Sequence, residues 1–463
     1  MSDIVEALTD VVGRGAVSAG EAVHNDFTHD EALTAIAQRP LAVVRPTTTT
    51  EVARVVELAV GAGVPLTARG SGTGLSGACI PVEGGIVVAF ERMNEIIEID
   101  LDNHVAVVQP GVTLDQLDQA VRPHGLVYPV FPGESSASLG GNVATNAGGM
   151  RAVKYGVTRH QVLGLEAVLG TGEVIRTGGK FVKATTGYDL TQLIVGSEGT
   201  LALVTEVILR LSPRLAFAET VLAPFATLGD VTAAVPKIVA SGIGPLLVEY
   251  IDVITMDAIT TSHGVELGVD PAVKAQALAY LVVVLEDRRS DRLDENTEEL
   301  AILLAELGAL DVYVLPSSSG AQLIEAREKA FWTAKAAGAD DILDMGVPRA
   351  SIPQYMAAVA GLAQARGSLV VGCGHAGDGN VHLSVFEQDA GARQELIHAI
   401  FAAGMALGGA ISGEHGIGTE KKVYVAELED PAKLALMRRI KAAFDPHGIL
   451  NPGTIFDMSE DGP

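Results

Sequence analysis

The spacing of apolar positions changes character along the chain. Over residues 2–37 they recur every three or four residues. This predicts a helical segment in which Asp30 caps "EALTAIAQ" and Arg39-Pro40 ends it. From 38 to 213 short apolar, β-branched runs broken by glycine take over. "LAVVRP", "VPLTAR", "GGIVVAF", "NEIIEID", "HVAVVQPG", "VLGLEAVLG", "EVIRTG" and "LALVTEVILRLSP" read as strands. Two helices interrupt them: "TTEVARVVELAVGAGVP", with Thr50 as N-cap and Gly61 as stop, and "TLDQLDQAVRPHG". Beyond Pro213, helical stretches at 228–241, 271–280, 293–308, 320–337 and 353–366 alternate with strands such as "LLVEYID", "YLVVVLED" and "DVYVLP". The tail holds a basic amphipathic helix and a Pro/Gly turn. The pattern predicts an α+β fold with two domains: a helical segment 1–37, a first domain 38–213, a second domain 214–425, and a C-terminal segment 426–463 that returns to the first.

Composition narrows the function. A chain of 463 residues is too long for one ordinary core, and 48% hydrophobic with 19% charged residues argues against disorder. The net charge of -25 repels nucleic acid and anionic membranes, so an anionic ligand must be held by local donors. Two cysteines, Cys79 and Cys373, give no disulfide framework and suggest a reducing compartment. The N-terminus has no signal-like apolar run, and no stretch reaches the roughly 18 apolar residues of a spanning helix. The expectation is a cytoplasmic protein without a transmembrane segment. Peripheral attachment to the membrane through an electron acceptor stays open, as does a homodimer.

The glycines are clustered. Within "RGSGTGLSGA", residues 72–77 match G-x-G-x-x-G. A nicotinamide-binding turn needs a helix directly after it; "ACIPVEGGIVVAF" carries Pro81, Gly84 and Gly85 and then turns β-branched. The pattern matches and its context fails, which counts against an NAD-dependent dehydrogenase. The loop still suits an anion: Gly70, Gly72, Gly74 and Gly77 permit close backbone approach, and Ser71, Thr73 and Ser76 add hydroxyls. A plain surface turn is the alternative. Two more small-residue loops follow, "FPGESSASLGGNVATNAGG" and "GSEGTLALVTE". Three such loops in one domain suggest one extended, polar ligand, and FAD suits that description.

These loops, with "QPGVT" and the "YG" of "YGVTRH", resemble the FAD-binding domain of the vanillyl-alcohol oxidase/p-cresol methylhydroxylase superfamily. Within it, the chain is similar over residues 38–456 to FAD-linked D-2-hydroxy acid dehydrogenases: D-lactate dehydrogenase, the glycolate oxidase catalytic subunit and D-2-hydroxyglutarate dehydrogenase. The resemblance implies a ferredoxin-like sheet in the second, substrate (cap) domain. It implies that Arg69, Gly70, Ser71, Gly72, Thr73, Gly74 and Gly77 hold the pyrophosphate. Pro132, Gly133, Glu134, Ser138, Gly141, Asn142, Thr145, Asn146, Gly148 and Gly149 would then surround the rest of FAD, with Tyr155, Gly156, Glu198, Gly199, Val204 and Asn451. The loops hold no residue that matches a covalent attachment point, so FAD is expected to be non-covalent.

A second constellation lies in "GCGHAGDGNVHLSV". Asp378-Gly379 is a two-residue hairpin turn in this reading, which sets His375 directly opposite His382 on one face. Two imidazoles so placed can grip a metal ion; a pair of surface histidines is the alternative. A third ligand would come from "SGEHGIGTEKK", where Glu414 and His415 point to opposite sides of an extended segment. The resemblance implies His375, His382 and Glu414 as ligands of a divalent ion, zinc first among the candidates, and His415 as catalytic base. It also places a substrate-carboxylate arginine at Arg327, where the sequence alone equally allows a solvated helix-face arginine. Trp332 lines the pocket or packs in the core. Hydroxyglutarate-specific relatives carry a lysine where this chain has Ile342, which favours a lactate-like acid with a small or apolar side chain. The implied reaction is FAD-dependent oxidation of a D-2-hydroxy acid to the 2-oxo acid, the electrons passing to an unidentified acceptor or partner subunit. A glycolate oxidase-type subunit of an electron-transfer complex and a D-2-hydroxyglutarate dehydrogenase are the alternatives. An alditol-type flavin oxidase would not need the two histidines and Glu414.

Overall fold

The computed structural model describes residues 2–458. The first domain is built on two main sheets with a helix between them, and Leu126–Val127 pairs with Ser212–Pro213 in a small third sheet. In the smaller main sheet, Val17–Ala19, Ala42–Val44, Ile86–Ala89 and Leu66–Arg69 lie side by side in that order, the last three parallel. The larger is antiparallel: Ile96–Asp100, Val105–Val108, Ala202–Arg210, Val162–Leu169 and Val174–Gly178. The helix Thr49–Ala62 buries Val52, Val55, Val56 and Ala59 at three- and four-residue spacing, in one core with Val44, Val88, Val168 and Leu203 from the two sheets. Its cap is Thr48, not Thr50: the Thr48 hydroxyl accepts Glu51 N–H at 3.2 Å. Gly63, at φ 63, ends it in place of Gly61.

The N-terminal segment departs from the expected helix. Only Ser2–Val12 is α-helical; Gly13 at φ 85 stops it, and short 3₁₀ turns and a strand follow. Asp30 caps no helix. Its carboxylate turns inward, accepting Ala32 N–H at 3.1 Å and Gly77 N–H at 2.9 Å, so it braces the glycine loop, and 31–38 runs as irregular chain.

The second domain is a seven-stranded antiparallel sheet: Tyr313–Leu315, Phe217–Phe225, Ala279–Asp287, Leu247–Asp252, Leu369–His375, Asn380–Phe386 and Asp341–Gly346. The first four stand in the spatial order fourth, first, third, second of a β-α-β-β-α-β unit, the ferredoxin-like arrangement. Alternation sorts the faces. Val221, Ala223 and Phe225 pack under the helices Leu228–Ala240, Ser290–Glu306, Ile352–Arg366 and Ala390–Ala406. Leu222, Val282 and Val284 meet Val253–His263 and Ser317–Glu328 on the other side. The stretch 271–280, expected helical, is a single turn at Pro271–Lys274 before the strand Ala279–Asp287.

The tail helix Pro431–Phe444 leads back to the first domain. Leu66 N–H donates to Ile449 O and Asn451 N–H to Leu66 O, both at 2.7 Å, extending the smaller main sheet by a parallel bridge at Leu450. Buried Lys441 donates to Thr200 O and Leu450 O, both at 2.7 Å, and pairs with Asp445.

Candidate active site

The three small-residue loops line one cleft of about 1290 Å³ in the first domain. Gly70, Ser71, Gly72, Thr73 and Gly74 form one wall. Pro132, Glu134, Ser138, Gly141, Asn142 and Thr145 form the second, and Glu198, Gly199 and Val204 the third. Ser71 ties the first two walls, its hydroxyl donating to Ser136 O at 2.6 Å. A side chain at Gly70 would strike Ser138 Oγ. Asn142 Nδ2 is buried in this lining without a hydrogen-bond partner, a donor left for a ligand. An elongated cleft walled by backbone, hydroxyls and one orphan amide fits FAD.

Other expected cofactor residues stand behind the walls. Arg69 donates to His29 O at 2.7 Å, and Gly77 bonds Asp30. Asn146 accepts Arg159 N–H, Tyr155 donates to Glu286, and Gly156 packs against His160. Asn451 is a brace: its amide donates to Ala78 O and Glu198 O, both at 2.8 Å. Gly133 and Gly149 line a second chamber, and Gly148 lets Glu414 approach, since a Cβ there would lie 2.8 Å from Glu414 Oε2.

That second chamber, about 1070 Å³, lies between the domains and shares Leu75, Pro132, Glu414 and His415 with the cleft. His375, His382 and Glu414 meet at its inner end, one ligand atom of each lying within 4.8 Å of the others. The hairpin register differs from the expected one. The loop spans 376–379, so His382 pairs with Cys373 and His375 with Asn380. A shift of two keeps the face, and the imidazoles meet diagonally with centroids 4.8 Å apart.

Glu414 Oε1 lies 3.1 Å from His375 Nε2 and 3.2 Å from His382 Nε2, while Oε2 is buried and unpartnered. Ligands about 2.0–2.1 Å from a tetrahedral ion stand at such separations, so this set fits a divalent metal. Glu249, wholly buried, takes His375 Nδ1 at 2.8 Å and fixes that ring. Without a cation, burial opposes charge on His375 but Glu249 and Glu414 prevail and push it up to about 10.

Asp344 organises the loop that carries Glu414 and His415. It accepts the N–H groups of Gly413, Glu414 and His415 at 2.8, 2.7 and 3.0 Å, and pairs with Lys421. Despite burial, His415 and Lys421 hold its carboxyl far below the usual range. His415 itself is pushed down to about 4, by burial first, so the ring is neutral at neutral pH. Arg327 is 6% exposed; its Nη2 ion-pairs with Glu249 Oε2 at 2.8 Å, and its Nε has no hydrogen-bond partner.

Trp332 neither lines the chamber nor packs in the core. On the helix Ala330–Ala336, Phe331 and Ala334 turn inward and Trp332 stands outside, 43% exposed against Phe331 and Lys335. Glu249 was missed; its signal is one acid inside the apolar strand "LLVEYID".

The comparisons agree with this architecture. The family described as FAD linked oxidases, C-terminal domain, matches residues 215–455, and an FAD binding domain family matches 40–178. An uncharacterised FAD-linked oxidoreductase of Mycobacterium tuberculosis is 56% identical, covering 98% of this chain and 99% of its own. A D-lactate dehydrogenase of Archaeoglobus fulgidus is 40% identical over 89% of this chain and 90% of its own. The glycolate oxidase subunit GlcD of Bacillus subtilis is 37% identical over 98% and 97%. The structure of p-cresol methylhydroxylase superposes with a TM-score of 0.82 at 20% identity, covering 98% of this chain and 97% of that one. With both halves matched and relatives aligned along nearly its whole length, the chain belongs to the FAD-linked oxidases and is an FAD-linked oxidoreductase.

Proposed function

We propose that the protein oxidises a D-2-hydroxy acid with an apolar side chain to the 2-oxo acid. The observation that carries this reading is the position of His415 and Glu414 in the lining of both the cleft and the chamber. Arg327, buried beside Glu249 with its Nε unpartnered, binds the substrate carboxylate and orients C2 toward the cleft. Asp344 holds the backbone of His415 and lies 3.4 Å from its Nδ1, so the other ring nitrogen takes the hydroxyl proton. His375, His382 and Glu414 would hold a divalent ion. A bound ion there would lower the pKa of the hydroxyl, and FAD would supply the acceptor for the C2 hydrogen and its two electrons. The names of the relatives, D-lactate dehydrogenase and D-2-hydroxyglutarate dehydrogenase among them, support the class and the stereochemistry. The test is anaerobic titration of the yellow protein with D- and L-2-hydroxy acids. Bleaching by a D-acid alone is expected; bleaching by no 2-hydroxy acid would refute the reading.

A further inference from the structure

The chamber lining continues away from the histidines, past the reach of a three-carbon hydroxy acid held at Arg327, to an open mouth at Ile254 and Leu369.

Its floor is one face of three neighbouring strands. The rung Cys373–His382–Asp344 closes the inner end. The next rung outward is Val371–Ser384–Ile342, and beyond it Leu369 pairs with Phe386. At two residues per rung the floor runs outward for roughly 14 Å, the length of an extended chain of about ten carbons.

The roof is two helices that set alanines among larger apolar side chains. Val253–His263 supplies Ala258 and Ile259, and Ala330–Ala336 supplies Phe331 and Ala334. The alanines leave the channel open. Ile254 and Leu369, 52% and 47% exposed, line its outer part.

Charge is confined to the inner part. Arg327 is the one lysine or arginine among the described lining residues, and Glu328 lies beside Gly133 of the first domain. The outer rungs offer only the Ser384 hydroxyl among aliphatic and aromatic groups, and the roof adds only the hydroxyls of Thr255 and Thr333, so a second carboxylate would find no cationic partner there.

We propose that the preferred substrate is a medium-chain 2-hydroxy monocarboxylate. Its carboxylate rests at Arg327 and its alkyl tail lies along Val371, Ile342 and Phe386, under Ala258 and Ala334. This assignment rests on the oxidation proposed above.

The test is kcat/KM of the holoenzyme, with a dye as acceptor, for D-2-hydroxy acids of three to ten carbons. The value is expected to rise about fourfold per methylene, the equivalent of about 0.8 kcal/mol, up to about eight carbons. D-2-hydroxyoctanoate should exceed D-lactate by at least about 10²-fold. A profile that falls beyond four carbons, or a best substrate of D-2-hydroxyglutarate, overturns the assignment. Ala334→Phe should cut the octanoate-to-lactate preference at least about tenfold by filling the channel. Ala258→Phe on the opposite helix serves if that variant loses flavin, and an unchanged preference overturns the proposal. Should no hydroxy acid bleach the flavin, the proposed reaction falls. Perturbation of the flavin spectrum by octanoate and by acetate then decides the chamber alone: tighter octanoate supports it, equal binding overturns it.

Discussion

Asp344 accepts the backbone N–H of His415 at 3.0 Å and stands 3.4 Å from its Nδ1, so one buried carboxylate fixes the position of the candidate base and sets a negative charge beside its ring. Replacement of that base by His415→Gln preserves volume. Flavin reduction by a D-2-hydroxy acid should slow by at least about 10²-fold while the yellow spectrum is retained. Stopped-flow bleaching at the wild-type rate would remove His415 from the reaction.

Arg327 is the only lysine or arginine in the chamber lining among the described residues, and its planar fork suits a carboxylate. Arg327→Lys keeps a charge near Glu249 and loses the two-pronged contact. A fall of about 10²-fold in kcat/KM, carried mostly by KM, is expected. An unchanged KM would place the substrate carboxylate elsewhere.

The His375, His382 and Glu414 set predicts about one divalent ion per chain. Elemental analysis of purified protein should find it, and His382→Ala should lose it. Chelation should lower the melting temperature of the wild type but not of that variant, because an ion at a hundred times its Kd stabilises by about 2.7 kcal/mol. Equal shifts in both would refute the site.

Burial pushes the Glu198 carboxyl up to about 7, against the N–H groups of Ile417 and Gly418, each 2.8 Å from it. The folded value lies above that of an unfolded glutamate, 4.5. The retained proton therefore stabilises the fold fully below 4.5, and this contribution is lost as pH rises through about 7. Stability should fall across that window by up to about 1.4 kcal/mol per pH unit, and Glu198→Gln should flatten the slope. Urea midpoints of the flavin-free protein at pH 5 and pH 8 measure it; the same slope in both proteins would be the contrary result.

Lys441 is 4% exposed and its partner Asp445 2%. Lys441→Met leaves that carboxylate buried and unpaired, and should cost about 3–5 kcal/mol in urea unfolding. Lys441→Met with Asp445→Asn should recover part of the loss. A single variant as stable as the wild type would show that the tail is not held by this pair.

The strands and long helices were legible because their apolar spacing is regular, as in Thr49–Ala62 and Ala202–Arg210. What eluded the sequence depended on contacts far along the chain. Asp30 looks like a helix cap until Gly77, distant in sequence, claims its second oxygen. Asp378-Gly379 signals a two-residue turn, whereas the four-residue loop packs Gly377 against Val153 and Val248. The face shared by the two histidines survived because a two-residue slip preserves the pleat. Glu249 carries no motif; its role exists only where separate strands bring it to His375 and Arg327. Phe331 and Trp332 are neighbours of similar chemistry, and only the rotation of one short helix decides which sees the chamber.

The parallel bridge between Leu66 and Leu450 has a consequence for engineering. The segment matched by the C-terminal-domain family ends by completing a sheet of the FAD-binding segment, so the two segments are not interchangeable cassettes. A chimaera of two relatives joined near residue 214 would graft a foreign edge onto the flavin domain. Residues 441–451 have to be inherited together with the N-terminal half, although some 200 residues separate them along the polypeptide.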